Sequence, residues 1–129
     1  MRAAPLLLCL LLPACSIAGP SDAVIEAARS PEAEGVVVNR AGADLVPLAI
    51  DAELAARIDL ANEFEVRDRS TVVERGAAGP LAVEGYREGE PFVVYVYRVD
   101  GDVARYARAL RVEPGEFESD REVVTVRRF

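Results

Sequence analysis

The rhythm of hydrophobic and polar positions changes along the chain. Residues 3–12, "AAPLLLCLLL", are one unbroken apolar run. Residues 16–34, "SIAGPSDAVIEAARSPEAE", mix small residues, proline and charge. From Gly35 onward, short apolar stretches rich in Val and Ile alternate with turn residues, the signature of strands. "GVVVN" (35–39) and "DLVPLAI" (44–50) flank "RAGA" and predict a hairpin. Pro47 lacks an amide donor, which predicts an edge position for its strand. "DAELAARIDL" (51–60) breaks the pattern: Asp51 is a good N-cap, and Leu54 and Ile58 lie four apart on one helical face. "NEFEVR" (62–67) alternates, with Phe64 and Val66 on one side. "STVVER" (70–75), "PLAVEGY" (80–86) and "EVVTVR" (122–127) read as further strands.

The strongest local signal is "PFVVYVYRVDGDVARYARALRV" (91–112). Asp100-Gly101 between β-rich runs predicts a type I′ hairpin that pairs Tyr97 with Ala104 and Tyr95 with Tyr106. One face then carries Val93, Tyr95, Tyr97, Val99, Tyr106, Leu110 and Val112, with Arg108 as an exception. Its larger apolar area assigns it to the core. The other carries Phe92, Val94, Val96, Ala107 and Ala109, flanked by Arg98, Arg105 and Arg111. Two readings of this second face compete. A short helix (22–29 or 52–60) covers it, or it is a docking patch, since apolar centres with arginine at the rim are common at interfaces. Phe92, Val94, Val96, Arg98, Arg105 and Arg111 are accordingly the candidate interaction residues. Together the strands predict an all-β, mainly antiparallel domain over 35–129, a small two-sheet β-sandwich with one short helix. A half-open barrel is the alternative.

The first apolar run is about half the roughly 20 residues that a membrane-spanning helix needs. Behind the charge of Met1-Arg2 and before a small-residue exit, it reads as a secretory signal peptide over 1–14. Its end, Leu12-Pro13-Ala14-Cys15, resembles the bacterial lipobox, with Pro13 a departure from the usual small residue. That resemblance covers the first sixteen residues only. It implies cleavage before Cys15 and acylation of its thiol and new amino end. Ser16 after the acceptor implies the outer membrane, with the domain facing the periplasm. The competing cleavage after Ala18 would give a soluble periplasmic or secreted product. In the lipoprotein reading, residues 15–34 tether the domain, with Ser21 capping a helix over 22–29.

Composition narrows the chemistry. The 129 residues carry 15 basic and 22 acidic side chains, for a net charge of −7. Every basic residue is Arg, and there is no Lys, His, Gln or Trp. An acidic chain is a poor match for nucleic acid. Cys9 leaves with the signal and Cys15 is acylated, so the mature domain lacks the commonest bases and nucleophiles. Ser70, Ser119, Thr71 and Thr125 have no His or Lys to activate them. Glu63 and Glu65 share an alternating strand face, where solvated charge is the simpler reading. The resulting expectation is a non-catalytic, cofactor-free envelope module, held to a membrane by lipid and bound to another envelope protein. The alternative is a small-ligand or calcium-binding β domain, with "DGD" (100–102) the candidate calcium segment and Tyr95, Tyr97 and Tyr106 the candidate cavity lining.

Overall fold

The computed structural model describes residues 20–119 and 121–129. The signal segment and Cys15 lie outside the described residues. Eight strands form two mixed sheets in a sandwich-like arrangement: β1 (Gly35–Asn39), β2 (Leu45–Asp51), β3 (Phe64–Glu65), β4 (Ala78–Leu81), β5 (Val83–Glu84), β6 (Phe92–Asp100), β7 (Val103–Val112) and β8 (Val123–Val126). The smaller sheet has the order β4-β1-β8 and the larger β3-β7-β6-β2-β5. Most pairs are antiparallel, but β1 pairs with β8 and β2 with β5 in parallel. Three short helices, α1 (Asp22–Ala27), α2 (Ala52–Ala55) and α3 (Pro114–Ser119), accompany them.

The expected hairpin at "RAGA" does not form. β1 is buried along its whole length, so it takes neighbours on both sides within its own sheet, and β2 crosses to the other layer. Asn39 sets the crossing. Its buried amide donates to the carbonyls of Ala43 (2.8 Å) and Val73 (2.9 Å), and its Oδ1 accepts from Ala41 N (3.0 Å). A short turn is thereby replaced by a loop wound on one side chain. "PLAVEGY" is likewise divided: β4 belongs to one sheet and β5 to the other, so this stretch turns a corner of the sandwich. "STVVER" starts as a 3₁₀ turn over Arg69–Thr71, capped by the Asp68 carboxylate. Only Val73 then bridges to Leu45. The edge position expected from Pro47 is not found: β2 lies between β6 and β5, although β5 pairs only with Ala49 and Ile50. Leu45 N bonds Val73 and not β6 (3.0 Å), so two residues on, the missing N–H of Pro47 also points away from β6 and costs no ladder bond.

The β6–β7 hairpin is present, but its register is shifted. Asp100 pairs with Val103, Tyr97 with Tyr106 and, beyond a bulge at Val96/Tyr97, Tyr95 with Ala109. The two loop residues are therefore Gly101 and Asp102. Gly101 has φ +64° and Asp102 is not among the positive-φ residues. Glycine at the first central position is the II′ pattern, not I′.

The face assignment of that hairpin is corrected as well. Phe92, Val94 and Val96 are buried between the two sheets with Val37, Leu45, Ala49, Leu81, Val124 and Val126. The tyrosine side, expected to be the core, is the outer face of the larger sheet. There a smaller cluster of Val46, Val66, Tyr97 and Ala104 is packed with Val72, Tyr95 and Val99. Ring area misled the assignment, because a tyrosine hydroxyl must keep a polar partner. The Tyr97 hydroxyl donates to the Leu60 carbonyl, and Tyr106 stays exposed. Both faces of the hairpin are thus packed, with the purely aliphatic and phenylalanine side innermost.

Asp51 does cap α2, but the helix is four residues long and buries only Ala55. Leu54 and Ile58, expected to face the core, are exposed. The stripe they were expected to cover already lies against the smaller sheet. The helix α3 was not expected from the sequence, although its start follows a known rule: Pro114 opens it and Glu116 reaches back to Glu113 N (3.1 Å). Its Phe117 ring stands edge-on to Phe92, centroids 5.0 Å apart. The chain leaves α3 through Arg121 (φ +55°) and Glu122 (φ +63°). Glu122 N bonds the Phe117 carbonyl (2.7 Å) and Arg121 N that of Glu118 (3.1 Å), the pairing that commonly closes a helix.

Ser21 caps α1 as its sequence predicts. Residues 21–34, read as part of a spacer, are tied to the sandwich. The Arg29 guanidinium donates to the Arg121 carbonyl (2.7 Å), and Glu34 accepts from Val83 N (2.6 Å).

Candidate functional site

The six candidate interaction residues do not form one surface. Phe92, Val94 and Val96 are 0–2% exposed, covered by the smaller sheet instead of by a helix. The three arginines go to separate partners. Arg98 lies over the Phe129 ring, 5.5 Å from its centroid. Arg105, directly opposite Arg98 in the ladder, is paired with Glu63 (3.3 Å). Arg111 is paired with Glu113 (2.8 Å). No common rim results. Asp100 and Asp102 flank Gly101 at the exposed hairpin tip. The three tyrosines were expected to line a cavity. They form a row across the outer face, with Tyr95–Tyr106 and Tyr97–Tyr106 centroids 6.3 and 6.0 Å apart.

The most developed polar cluster surrounds Asp51. Its side chain is 4% exposed, accepts from Glu53 N (3.1 Å) and Leu54 N (3.3 Å), and meets the Arg87 guanidinium at 3.1 Å. Burial pushes the Asp51 carboxyl up. The Arg87 hydrogen bonds, the two backbone amides and the Arg87 charge together outweigh it and hold the group below the ordinary aspartate range. The same contacts raise Arg87. Arg87 also meets Glu53 at 2.8 Å. A shallow hollow of about 480 Å³ beside it is lined by Ala52, Glu53, Arg87, Glu90, Pro91 and Arg111. The charges here already answer one another, so the cluster's chemistry is that of a clamp between α2 and the turn at 85–91.

The two sides of the sandwich differ, and the side where β4 meets β5 carries a hollow of about 370 Å³ lined by Pro47, Val72, Val73, Gly79 and Pro80. On that side β4 runs into β5, and Val73 leans on Gly79 while bridging Leu45. On the other side the outermost strands are β8 of the smaller sheet and the C-terminal half of β7. β8 has β1 as its strand neighbour, and β3 pairs only with Val103 and Ala104 of β7. Two hollows lie between these edges. One, of about 170 Å³, is lined by Leu110, Arg111, Val112, Glu116, Phe117, Val123, Val124 and Thr125. The next, of about 340 Å³, shares Leu110 and Thr125 and adds Arg108, Arg127 and Arg128. Together they make a groove of mixed lining, with apolar side chains at its base, Arg111 and Glu116 beside them and a basic end. No carboxylate side chain lines that basic end. Among the described residues Arg108, Arg127 and Arg128 form no ion pair.

Of these residues, sequence reasoning named only Arg111 as an interaction candidate, grouped there with residues that the fold separates from it. "VVTVRR" read only as a closing strand. Its signal was the abrupt change from alternating Val to paired Arg. Which strand it would neighbour depends on topology, which local periodicity does not encode. No family model, curated protein or solved structure matches the chain.

Proposed function

We propose that the chain is a lipid-anchored protein of the bacterial cell envelope whose sandwich binds another protein, without catalysis, through the side where β7 and β8 lie outermost. The observation that carries this reading is the groove between β7 and β8. It offers apolar side chains at Leu110, Val112 and Val124, strand edges on both walls and unneutralised arginines at one end. Those are the ingredients of protein recognition: apolar contact for affinity, charge for orientation and backbone groups for register. The anchor rests on Leu12-Pro13-Ala14-Cys15, and two or three acyl chains at about 0.8 kcal/mol per buried methylene would hold firmly.

Two measurements test the two halves. Cys15→Ala should leave an unprocessed precursor or move the protein to the periplasmic fraction. Unchanged membrane partition and processed mass in that variant would remove the anchor. A photo-reactive benzoylphenylalanine at Thr125 should cross-link to an envelope protein in cells, while one at Glu53 should not. Equal labelling from both positions, or none from Thr125, would remove the groove as a binding surface.

A further inference from the structure

We infer that the groove takes an acidic, extended segment of the partner as an added strand on β8, a reading that rests on the binding function proposed above. Hydrogen-bond parity supplies the first part of the argument. Val36 N bonds the Glu122 carbonyl (2.9 Å) and Arg40 N bonds that of Val126 (2.8 Å). Successive residues of a strand direct their amides and carbonyls to opposite sides. Even-numbered residues of β8 therefore face β1, and Val123, Thr125 and Arg127 present theirs to the groove. An extended chain laid there would meet backbone partners at every second residue, which is how strand addition gains affinity without a deep pocket.

The lining supplies the second part. Leu110 and Val112 of β7, Val124 of β8 and Phe117 of α3 line the slot. They would receive the alternate side chains of such a strand, while the intervening ones point to solvent. Charge supplies the third. The protein carries −7 overall, yet Arg108, Arg127 and Arg128 gather around one end of the groove. A segment with carboxylates at that end is attracted there, and a basic segment is repelled. Short length and flanking charge also protect edge strands from unwanted pairing. If protection were their whole use, a carboxylate-bearing strand would gain nothing at this edge.

The probe is a fluorescein-labelled, end-capped octapeptide of alternating Glu and Val, added to the full chain and followed by fluorescence anisotropy. Saturable one-to-one binding is expected, with no binding of the alternating Lys-Val peptide. Arg108→Glu combined with Arg127→Glu should weaken the Glu-Val peptide at least about tenfold, about 1.4 kcal/mol, without changing the melting temperature by more than a few degrees. N-methylation of all valines, or of all glutamates, blocks one or the other edge of the peptide. At least one of the two must abolish binding, because β8 needs an unblocked edge. Binding that survives both methylations, or that ignores the arginine variant, overturns the proposal. So does arginine-dependent binding to phosphatidylglycerol vesicles without peptide binding, which would make the basic end a lipid contact. So does an arginine-dependent dimer in sedimentation, which would place a second copy in the slot. Cross-linking from Thr125 that persists when the peptide fails overturns the acidic-strand reading alone. Loss of both overturns the binding function with it.

Discussion

At the scale of single residues, side-chain chemistry decided more than hydrophobic pattern did. Ser21 and Asp51 were legible as caps, because an oxygen placed to accept an N–H two or three residues on is a purely local property. Asn39 was not legible. Its three hydrogen bonds include Val73, far away in sequence, and no local rule proposes that partner. The buried Asp51 gives the clearest test at this scale. Its carboxyl is held below the ordinary value of 3.8, so the folded state favours the carboxylate. That contribution is fully present above the ordinary value and is lost as pH falls through the lower, folded one. Asp51→Asn keeps a capping oxygen and loses the charge that meets Arg87. Its melting temperature should lie below that of the parent at neutral pH, and the two should converge in strong acid. Parallel curves from neutral to strongly acidic pH would remove the ion pair from this account.

At the scale of elements, the sequence located strands better than it paired them. β1, β2, β6, β7 and β8 all fall where alternation and β-branched runs placed them. The reading failed at two of the places where the chain changes sheet: β1 and β2 were paired across Arg40–Asp44, and β4 and β5 were joined through Ala82, because adjacency in sequence was taken for adjacency in space. The β6–β7 hairpin shows how fine the margin is. Both readings agree on the turn and differ on which two residues occupy it, and the bulge at Val96/Tyr97 shifts the remaining pairs. The two registers make opposite predictions for neighbouring positions. Nothing lies within 4 Å of a Cβ built on Gly101, so its φ of +64° is the whole constraint. Gly101→Val should cost about 1 kcal/mol or more and lower the melting temperature by about 4 °C or more. Asp100→Val, which the I′ register would also penalise, should stay within about 0.5 kcal/mol. Equal losses from both would restore the I′ turn.

At the scale of the whole molecule, the fold class was legible and the site was not. A sandwich follows from many short strands, each with one face to bury. The identity of the inner face does not, because both faces of β6 are apolar enough to pack. The decision fell to the tyrosine hydroxyls and to the valine-rich smaller sheet, and the latter takes shape only when β1, β4 and β8 come together. Val94, fully buried between the sheets, measures the result. Val94→Asp places an unpaired charge there, should cost several kcal/mol and should leave no cooperative melting transition. Leu48→Asp, on the exposed outer face of β2, should fold. A stable Val94→Asp variant would mean that the sheets do not close over this side chain. The unequal sides of the sandwich have a further effect, on stoichiometry. A sheet with two available edges can grow from either, as in a fibril. Here β4 continues into β5 and Val73 leans on Gly79, whereas the slot beside β8 ends at the wall formed by β7. In the proposed binding mode the first strand to enter would fill this slot, and a second strand would have to use the different hollow beside β4, lined by Pro47, Val73 and Gly79. On that proposal the slot beside β8 takes one partner segment and then saturates.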